Sequence, residues 1–261
     1  MFDLNLTRPP SYDIHGRPCY SVTQEKGLIQ FQENHLIQDA LAQGYTQKVA
    51  TTLFNIIKKR VQKEAAVKPV DVMEVGGGQG DYFEYVKDSV RTYLNVEPGD
   101  VALEGGALRR FKDPRYMALK CSAESVPLPD DSFDVILSIA SLDHVPNYRK
   151  ALAEVSRLLR PGGIFMMTLN NRRSWWKSLL SGTDYLKSRE AEIAKEHYFQ
   201  WSVAECEANL SEFLQVREIC TTTFIPFVPR LWRPLLPIAD LVGHTTLRKR
   251  GANIVAVCQK H

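Results

Sequence analysis

Glycines cluster directly after a short apolar run, where Val70–Val75 is followed by Gly76, Gly77, Gly78 and Gly80. Glycine has no Cβ, so a glycine-rich turn lets the backbone approach a bound molecule closely. The run before the turn is rich in β-branched residues, which predicts a strand, and the apolar spacing after the turn predicts a helix. Strand, glycine turn and helix together indicate a site that holds a cofactor through its backbone.

The spacing of these glycines distinguishes three kinds of cofactor turn. A phosphate-binding Walker loop ends in Gly-Lys-Ser/Thr, whereas here Gly80 is followed by Asp81. The dinucleotide fingerprint has its third glycine five residues after its first, and counting from Gly76 that position is again Asp81. The pattern that fits is Glu-x-Gly-x-Gly-x-Gly, which begins at Glu74. A nicotinamide-dependent oxidoreductase is therefore disfavoured.

Other polar residues follow other predicted strands. Strands are predicted at 92–96, 116–121, 133–138 and 164–169, with a helix at 147–159 between the last two. Such alternation indicates an α/β fold whose mostly parallel sheet is covered by helices on both faces. Ligands of these sheets bind at the carboxyl ends of the strands. Glu97, Ser122–Glu124 and Ser138 stand at those ends, so we expect them to lie beside the glycine turn.

Five stretches of the sequence occur together in one enzyme family. They are Glu74–Gly80, the acid Glu97, Ser122–Asp134, Ser138–Val145 and Leu158–Gly163. With these motifs in this order, the chain resembles the class I S-adenosylmethionine-dependent methyltransferases over roughly residues 66–170. Within that class it is similar to the group that includes the ubiquinone- and menaquinone-biosynthesis methyltransferases.

The resemblance implies a fold, a cofactor and a set of roles. The fold is a Rossmann-like, mostly parallel seven-stranded sheet with an antiparallel C-terminal strand, and the cofactor is S-adenosyl-L-methionine. The glycine backbone would approach the methionine and ribose parts of the cofactor. Glu97 would accept hydrogen bonds from both ribose hydroxyls, and the Ala123 backbone would hold the adenine edge. Ser138–Ser141 would pass beside the methionine end. The candidate cofactor-binding residues are Glu74, Gly76, Gly77, Gly78, Gly80, Glu97, Pro98, Ser122, Ala123, Glu124, Ser138 and Ser141.

Two of these positions leave alternatives open. The family has an acid before the alanine, whereas this chain has Ser122. Either the Ser122 hydroxyl or Glu124 takes over the contact to the adenine amino group, or that contact is missing. Glu74 either anchors the turn through backbone amides or contacts the ligand directly.

Methyl transfer from a sulfonium is an in-line displacement at carbon, so its catalytic demands are modest. Orientation of the acceptor supplies most of the rate, and a base is needed only when the acceptor is an un-ionised hydroxyl or amine, or an acidic carbon. His144 and His197 are the candidate bases. The alternatives are that His144 supports its loop and that His197 is a packed or surface side chain. No metal is expected, because no His/Asp/Glu group has ligand spacing in the sequence.

The rest of the chain is expected to choose the acceptor. We predict an N-terminal arm and helical cap at 1–65, irregular over its first 25 residues, followed by the cofactor-binding core at 66–170. An inserted substrate cap at 171–200 contains Trp175 and Trp176. Residues 201–261 complete the core with a capped helix and two antiparallel strands, interrupted by a proline-rich insertion at 225–250.

Composition bounds the cellular setting. A net charge of +3 is too small to indicate nucleic-acid binding, and five scattered cysteines predict a reducing cytoplasm. The sequence contains no apolar run of about eighteen residues, so no membrane-spanning helix is predicted. The basic, apolar C-terminal part is compatible with peripheral membrane contact. We therefore predict methylation of a small-molecule acceptor, with oxygen first and nitrogen or carbon next. The alternatives are a lipid-linked or glycan acceptor, and an inactive S-adenosylmethionine-binding protein. The sequence does not predict an oligomeric state.

Overall fold

The computed structural model is an α/β fold built on one nine-stranded sheet. It describes residues 11–12, 18–21, 46–99, 113–179, 181–184, 187, 197–222 and 248–261. The strands are β1 (Ser11–Tyr12), β2 (Pro18–Ser21), β3 (Val70–Val75), β4 (Val90–Val96), β5 (Tyr116–Lys120), β6 (Phe133–Ile139), β7 (Leu159–Asn170), β8 (Gln215–Thr222) and β9 (Asn253–Gln259). The helices are α1 (Thr46–Glu64), α2 (Phe83–Val86), α3 (Tyr148–Leu158), α4 (Trp175–Leu179) and α5 (Val203–Ser211).

The order of the strands is β1-β2-β5-β4-β3-β6-β7-β9-β8. From β5 to β7 all neighbours are parallel, and β9 and β8 then join antiparallel. Because β3 lies between β4 and β6, the order reverses at the strand that precedes the glycine turn. Such a reversal opens a crevice at the carboxyl ends of the strands. The predicted Rossmann-like seven-stranded sheet is confirmed.

Two short strands lie in the N-terminal arm, so the prediction of an irregular arm does not hold for the described residues 11–12 and 18–21. β2 pairs parallel with β5, with Cys19 opposite Ala118 and Ser21 opposite Lys120, and β1 pairs antiparallel with β2. The prediction failed because strands this short have no periodicity to detect. Their order comes from hydrogen bonds to an edge strand already fixed by the core.

Apolar side chains fill both faces of the sheet. On one face the core includes Leu152 and Val155 of α3 with Leu210 of α5. On the other face it includes Ile57 and Val61 of α1. The parallel strands are apolar on both sides for this reason, and β3 is buried along its whole length.

The turns between elements follow the sequence signals with one shift. α3 ends at Leu158, one residue before the predicted stop Arg160–Gly163, but the chain re-enters the sheet at Leu159 rather than at Ile164. Leu159 pairs with Phe133 and Ile164 with Val135, so the Pro-Gly-Gly segment lies in a register shift between them. In the part of the chain that the structure describes, no helix combines the length and apolar character needed to cross a membrane.

Candidate cofactor site

The glycine turn leaves β3 with three residues in the left-handed backbone region. Gly76, Gly78 and Gly80 have φ values of 64°, 52° and 70°. These φ values are sterically unfavourable for L-residues with a Cβ, whereas glycine adopts them readily. The Gly76 N–H donates to the Val96 carbonyl at 2.7 Å and the Gly80 N–H to the Gly77 carbonyl at 2.8 Å. The turn is therefore tied to the end of β4.

Glu97 follows β4 and is only 4 % exposed. One carboxylate oxygen accepts the Gly78 N–H at 2.9 Å and the other accepts the Gly99 N–H at 2.9 Å. Burial raises the pKa of this carboxyl to about 7, and the two backbone N–H groups oppose the rise. Each carboxylate oxygen has two lone pairs. One acceptor position on each oxygen is thus left for a pair of hydroxyls.

Glu74 lies beneath the turn, where it is 3 % exposed. Its Oε2 accepts the Tyr93 hydroxyl, and burial raises its pKa to about 7. A Cβ placed on Gly77 would lie 2.5 Å from the same oxygen, so the carboxyl packs directly against the turn backbone. Of the two roles left open by the sequence, this position favours the support of the turn.

Asn95 is a support that the sequence analysis missed. It is fully buried in β4, and its Nδ2 donates to the Gly78 carbonyl at 3.0 Å and to the Tyr116 hydroxyl at 3.1 Å. Its Oδ1 would lie 2.4 Å from a Cβ on Gly77. The available signal was an amide side chain in the buried second half of β4, two residues before Glu97.

Ser138 and Ser141 close the turn from the side of β6. Their hydroxyls are 2.8 Å apart, and the Ser141 hydroxyl also donates to the Val75 carbonyl at 2.6 Å. A Cβ on Gly76 would lie 2.6 Å from the Ser141 Cβ. These serines therefore hold the ends of β3 and β6 together at the place predicted for the methionine end.

The loop after β5 carries the residues expected beside adenine. The Ser122 hydroxyl donates to the Glu124 carboxylate at 3.1 Å and accepts the Glu124 N–H at 3.2 Å. The other Glu124 oxygen accepts the Asn147 N–H at 2.7 Å, just before α3. Ala123 is 7 % exposed, and Pro98 is also buried. Ser122 and Glu124 thus form one hydrogen-bonded unit.

The two candidate bases lie far apart in sequence but side by side in the structure. The ring centroids of His144 and His197 are 4.3 Å apart, and His197 Nε2 is 3.4 Å from the Asp143 carboxylate. His144 follows Ser141 in a 3-10 turn, where its N–H donates to the Ser141 carbonyl at 3.1 Å. The cluster therefore lies at the rim next to the glycine turn, and Asp143 is a member that the sequence analysis missed.

One ligand atom from each of these three residues falls within 4.8 Å of the others. The ligand atoms around a tetrahedral zinc ion, with bonds of about 2.0–2.2 Å, lie closer to one another than 4.8 Å. The spacing of the three residues therefore does not by itself establish a metal site. The distance of 3.4 Å between His197 Nε2 and the Asp143 carboxylate suits an ion pair as well as two ligands of one metal ion. The sequence could not show the cluster because its members come from two distant segments.

Residues 73–167 match the model of the methyltransferase domain family. The match begins in β3, spans the glycine turn, Glu97 and the loop after β5, and ends in β7. The chain carries a class I S-adenosylmethionine-dependent methyltransferase domain. The matched residues include the glycine turn and five strands of the sheet, β3 to β7.

Individual relatives of the methyltransferase domain agree with this assignment. The chain is 30% identical over 132 residues to a phthiotriol/phenolphthiotriol dimycocerosates methyltransferase of Mycobacterium tuberculosis, covering 48% of each chain. It is 32% identical over 107 residues to a fatty-acid O-methyltransferase of Mycolicibacterium smegmatis, covering 40% of this chain and 39% of the relative. The matched region thus spans less than half the length of these curated relatives.

A solved structure extends the likeness in fold. A SAM-dependent methyltransferase from Thermotoga maritima superposes with a TM-score of 0.57 and 20% identity, over 90% of this chain and 100% of the other. S-adenosylmethionine is the cofactor of this class, and the residues present fit it. The buried Glu97 carboxylate keeps acceptor positions for two hydroxyls, and the glycine turn exposes backbone beside it.

Proposed function

We propose that this protein transfers the methyl group of S-adenosylmethionine to an oxygen atom of a small-molecule acceptor. The observation that carries the proposal is the Glu97 carboxylate, held by the N–H groups of Gly78 and Gly99 at the crevice of a methyltransferase sheet. When bound there, S-adenosylmethionine supplies an electrophilic methyl group on a sulfonium. The chain contributes the positions of both reactants.

On the cofactor side, each predicted residue receives a role that its position supports. Glu97 accepts hydrogen bonds from the ribose hydroxyls, and the backbone of Gly76 to Gly80 lies along the ribose and methionine parts of the cofactor. The Ala123 backbone holds the adenine edge, and the Ser122–Glu124 unit replaces the usual acid at the adenine amino group. Glu74 acts through the turn that it supports, rather than on the ligand.

On the acceptor side, the imidazole pair is the proposed base. Asp143 orients His197, and the His144 ring packs against the His197 ring. An acceptor hydroxyl at this rim would give its proton to the imidazole pair as its oxygen bonds to the methyl carbon, and the methyl–sulfur bond would break to leave S-adenosylhomocysteine. Orientation of the acceptor contributes roughly 7–11 kcal/mol, and a positioned base adds about 10²–10⁴-fold. No step needs a Lewis acid.

The acceptor is proposed to be chosen by the segments outside the core. These are the N-terminal part at 1–65, the insert at 171–200 and the proline-rich stretch at 225–250, most of which lies outside the described residues. The O-methyltransferase relative is named for a fatty acid, which supports an oxygen atom as acceptor and keeps a lipid-linked or amphiphilic molecule as the second candidate. We place the reaction in the cytoplasm, with peripheral membrane contact reserved for the lipid case, and not on nucleic acid.

The test separates an enzyme from an inactive binding protein. We expect S-adenosylmethionine and S-adenosylhomocysteine to bind in calorimetry, and Glu97→Ala to weaken both by about tenfold or more, about 1.4 kcal/mol. Labelled methyl groups should pass to a molecule in a metabolite and lipid extract. Unchanged affinity in a folded Glu97→Ala variant rejects the site, whereas binding without any labelled product identifies an inactive binding protein.

A further inference from the structure

The loop between β5 and β6, residues 121–132, is fastened to α3 at two places along the helix. The Glu124 carboxylate accepts the Asn147 N–H at 2.7 Å, directly before α3 begins. The Val126 N–H donates to the Glu154 carboxylate at 3.0 Å, in the second half of α3. This loop carries the groups that we assign to the adenine of the cofactor, so the helix fixes where those groups stand.

Arg157 binds the same loop with every N–H group of its guanidinium. Its Nη1 donates to the Leu128 carbonyl and to the Asp130 carboxylate, both at 2.7 Å. Its Nη2 donates to the Val126 carbonyl at 2.9 Å. Its Nε and Nη2 also donate to the two Glu154 oxygens, at 2.9 and 2.8 Å. A guanidinium has five N–H donors, so each of them has an acceptor in the loop or on Glu154.

The sequence of α3 presents Glu154 and Arg157 on one side of the helix. They are three residues apart, and side chains at this spacing are neighbours on a helix surface. Leu152 and Val155 of the same helix pack into the core. Burial alone would raise the pKa of Glu154, but hydrogen bonds from Arg157 and from the Val126 N–H lower it below its usual value. Glu154 therefore stays ionised, and its two bonds with Arg157 are charge-assisted and stronger than neutral hydrogen bonds.

The far end of the loop is held by other groups. The Asp131 N–H donates to the Arg157 carbonyl at 3.1 Å, and the Ser132 N–H donates to the Leu158 carbonyl at 2.8 Å. The Lys260 ammonium donates to the Asp131 carboxylate at 2.7 Å. These contacts use the backbone of Arg157 and not its side chain. Loss of the guanidinium therefore leaves this end attached and releases the part of the loop that is nearer to β5.

The contacts of Arg157 lie directly after the turn that is expected beside adenine. The Ser125 N–H donates to the Ser122 carbonyl at 3.2 Å, and the Glu124 N–H donates to the Ser122 hydroxyl at 3.2 Å. Val126 comes next in the chain, and both its N–H and its carbonyl are bound by the Glu154 and Arg157 side chains. A shift of Val126 is therefore passed on to Glu124, two residues earlier.

We propose that Arg157 is a positioning residue for recognition of the adenine. With Glu154 it holds the loop 121–132 against α3, and this contact sets the place of the Ser122–Glu124 unit and of the Ala123 backbone. Arg157 acts through the loop and does not itself contact the cofactor. A loop held in its binding conformation loses less conformational entropy when the ligand binds. The inference rests on the proposed function, because it takes from there the roles of Ser122 and Glu124 at the adenine amino group.

The test compares two ligands that differ at the adenine amino group. S-adenosylhomocysteine has this group, whereas S-inosylhomocysteine carries an oxygen in its place. Calorimetry gives the ratio of the two affinities, and we expect the wild type to favour S-adenosylhomocysteine by at least tenfold. Arg157→Met should reduce this ratio by at least fivefold. Arg157→Lys keeps the charge but not the planar fork, so it cannot reach Glu154 and both loop carbonyls together, and its ratio should fall between the two.

Arg149→Gln is the matched control. Arg149 also lies on α3 and also makes a two-bond ion pair with a glutamate, but its partner is Glu212, outside the loop. The ratio of affinities in this variant should stay within twofold of the wild type. Urea unfolding of all four proteins measures stability separately, so that a loss of stability is not mistaken for a loss of adenine recognition.

The ratio of affinities decides between positioning and simple stabilisation. A folded Arg157→Met protein that is less stable but keeps the wild-type ratio shows that Arg157 only supports the fold, and overturns the inference. If Arg157→Met does not fold, an unchanged ratio in Arg157→Lys overturns it in the same way. A wild type that binds both ligands equally, or an equal loss in Arg149→Gln, also contradicts it. Failure of the wild type to bind S-adenosylhomocysteine at all rejects the proposed function itself.

Discussion

Glu97 is a buried carboxyl group, and in the proposed site its charge would be required by the ribose hydroxyls of the cofactor. Its pKa is raised to about 7 by burial, so it titrates close to neutral pH. The ionised form accepts hydrogen bonds at every lone pair, whereas the protonated form turns one acceptor into a donor. If the proposed role is right, the cofactor competes with a proton for this side chain.

We expect the affinity for S-adenosylhomocysteine to fall as the pH is lowered from about 8 to 6. Only the ionised carboxylate binds well, so the fall approaches about tenfold per pH unit below the pKa. Glu97→Gln should bind weakly at every pH and lose this dependence, while Glu74→Gln should keep it. Calorimetric titrations across the range measure the effect, and a flat wild-type profile contradicts it.

Glu74 is buried as deeply as Glu97, but its expected effect is on stability. Burial also raises its pKa to about 7, from an ordinary value of 4.5. The unfolded chain releases this proton at lower pH than the native protein does, so the free energy of unfolding falls as pH rises between these values. Below about pH 4.5 both states are protonated and the group has no effect.

Glu74→Gln should therefore stabilise the protein at alkaline pH and not in acid. The glutamine amide oxygen can still accept the Tyr93 hydroxyl, but it removes the buried charge. A shift of this size corresponds to an upper estimate of about 3 kcal/mol above pH 7. Urea unfolding of both proteins at several pH values measures the difference. A stability difference that does not grow with pH would show that Glu74 is ionised in the native protein without cost.

At the scale of elements, the glycine turn depends on backbone geometry and on close packing together. Gly76 has φ 64°, and a Cβ there would lie 2.6 Å from the Ser141 Cβ. Gly162 also has a positive φ, of 77°, but its nearest neighbour would be the Gln259 Nε2 at 3.7 Å. Substitution of Gly162 by alanine therefore tests the cost of a positive φ alone, whereas substitution of Gly76 adds the cost of a steric clash.

Gly76→Ala should abolish S-adenosylhomocysteine binding, because the turn must move away from β6 to admit the methyl group. Gly162→Ala should lose only about 1–2 kcal/mol of unfolding free energy, from the left-handed backbone, with unchanged binding. Urea unfolding and calorimetry on both variants make the comparison. Equal effects of the two substitutions would mean that contact with Ser141 does not hold the turn.

The central elements could be predicted from the sequence because each carries a local signal. β3 is a largely apolar run ended by glycines, and α3 ends one residue before Arg160–Gly163. The carboxyl ends of the strands then bring Glu97 and Ser138 to the turn without further information. The Asp143–His197 pair has no such signal, because an ion pair between distant segments depends on how the chain returns to the rim. Asn95 was visible only as an amide between the apolar residues Leu94 and Val96 near the end of β4.

At the scale of the whole molecule, the two edges of the sheet are built differently. One edge ends in β8, which pairs along its length with β9 and carries exposed Gln215, Arg217 and Glu218. The other edge would be β5, a parallel core strand, if β2 did not pair with it. An open strand of this kind presents unpaired N–H and C=O groups to other chains. We infer that β1 and β2 protect the core sheet from association.

Deletion of residues 1–21 should therefore make the protein associate, because it removes β1 and β2 and exposes the backbone of β5. Deletion of residues 1–10 ends before β1 and is the matched control, since both edge strands remain. Light scattering during gentle heating should show growing particles for the longer deletion and a constant mass for the shorter one. If both proteins stay equally monodisperse, β5 tolerates an open edge, and the N-terminal strands have to be explained by their position beside the loop that follows β5.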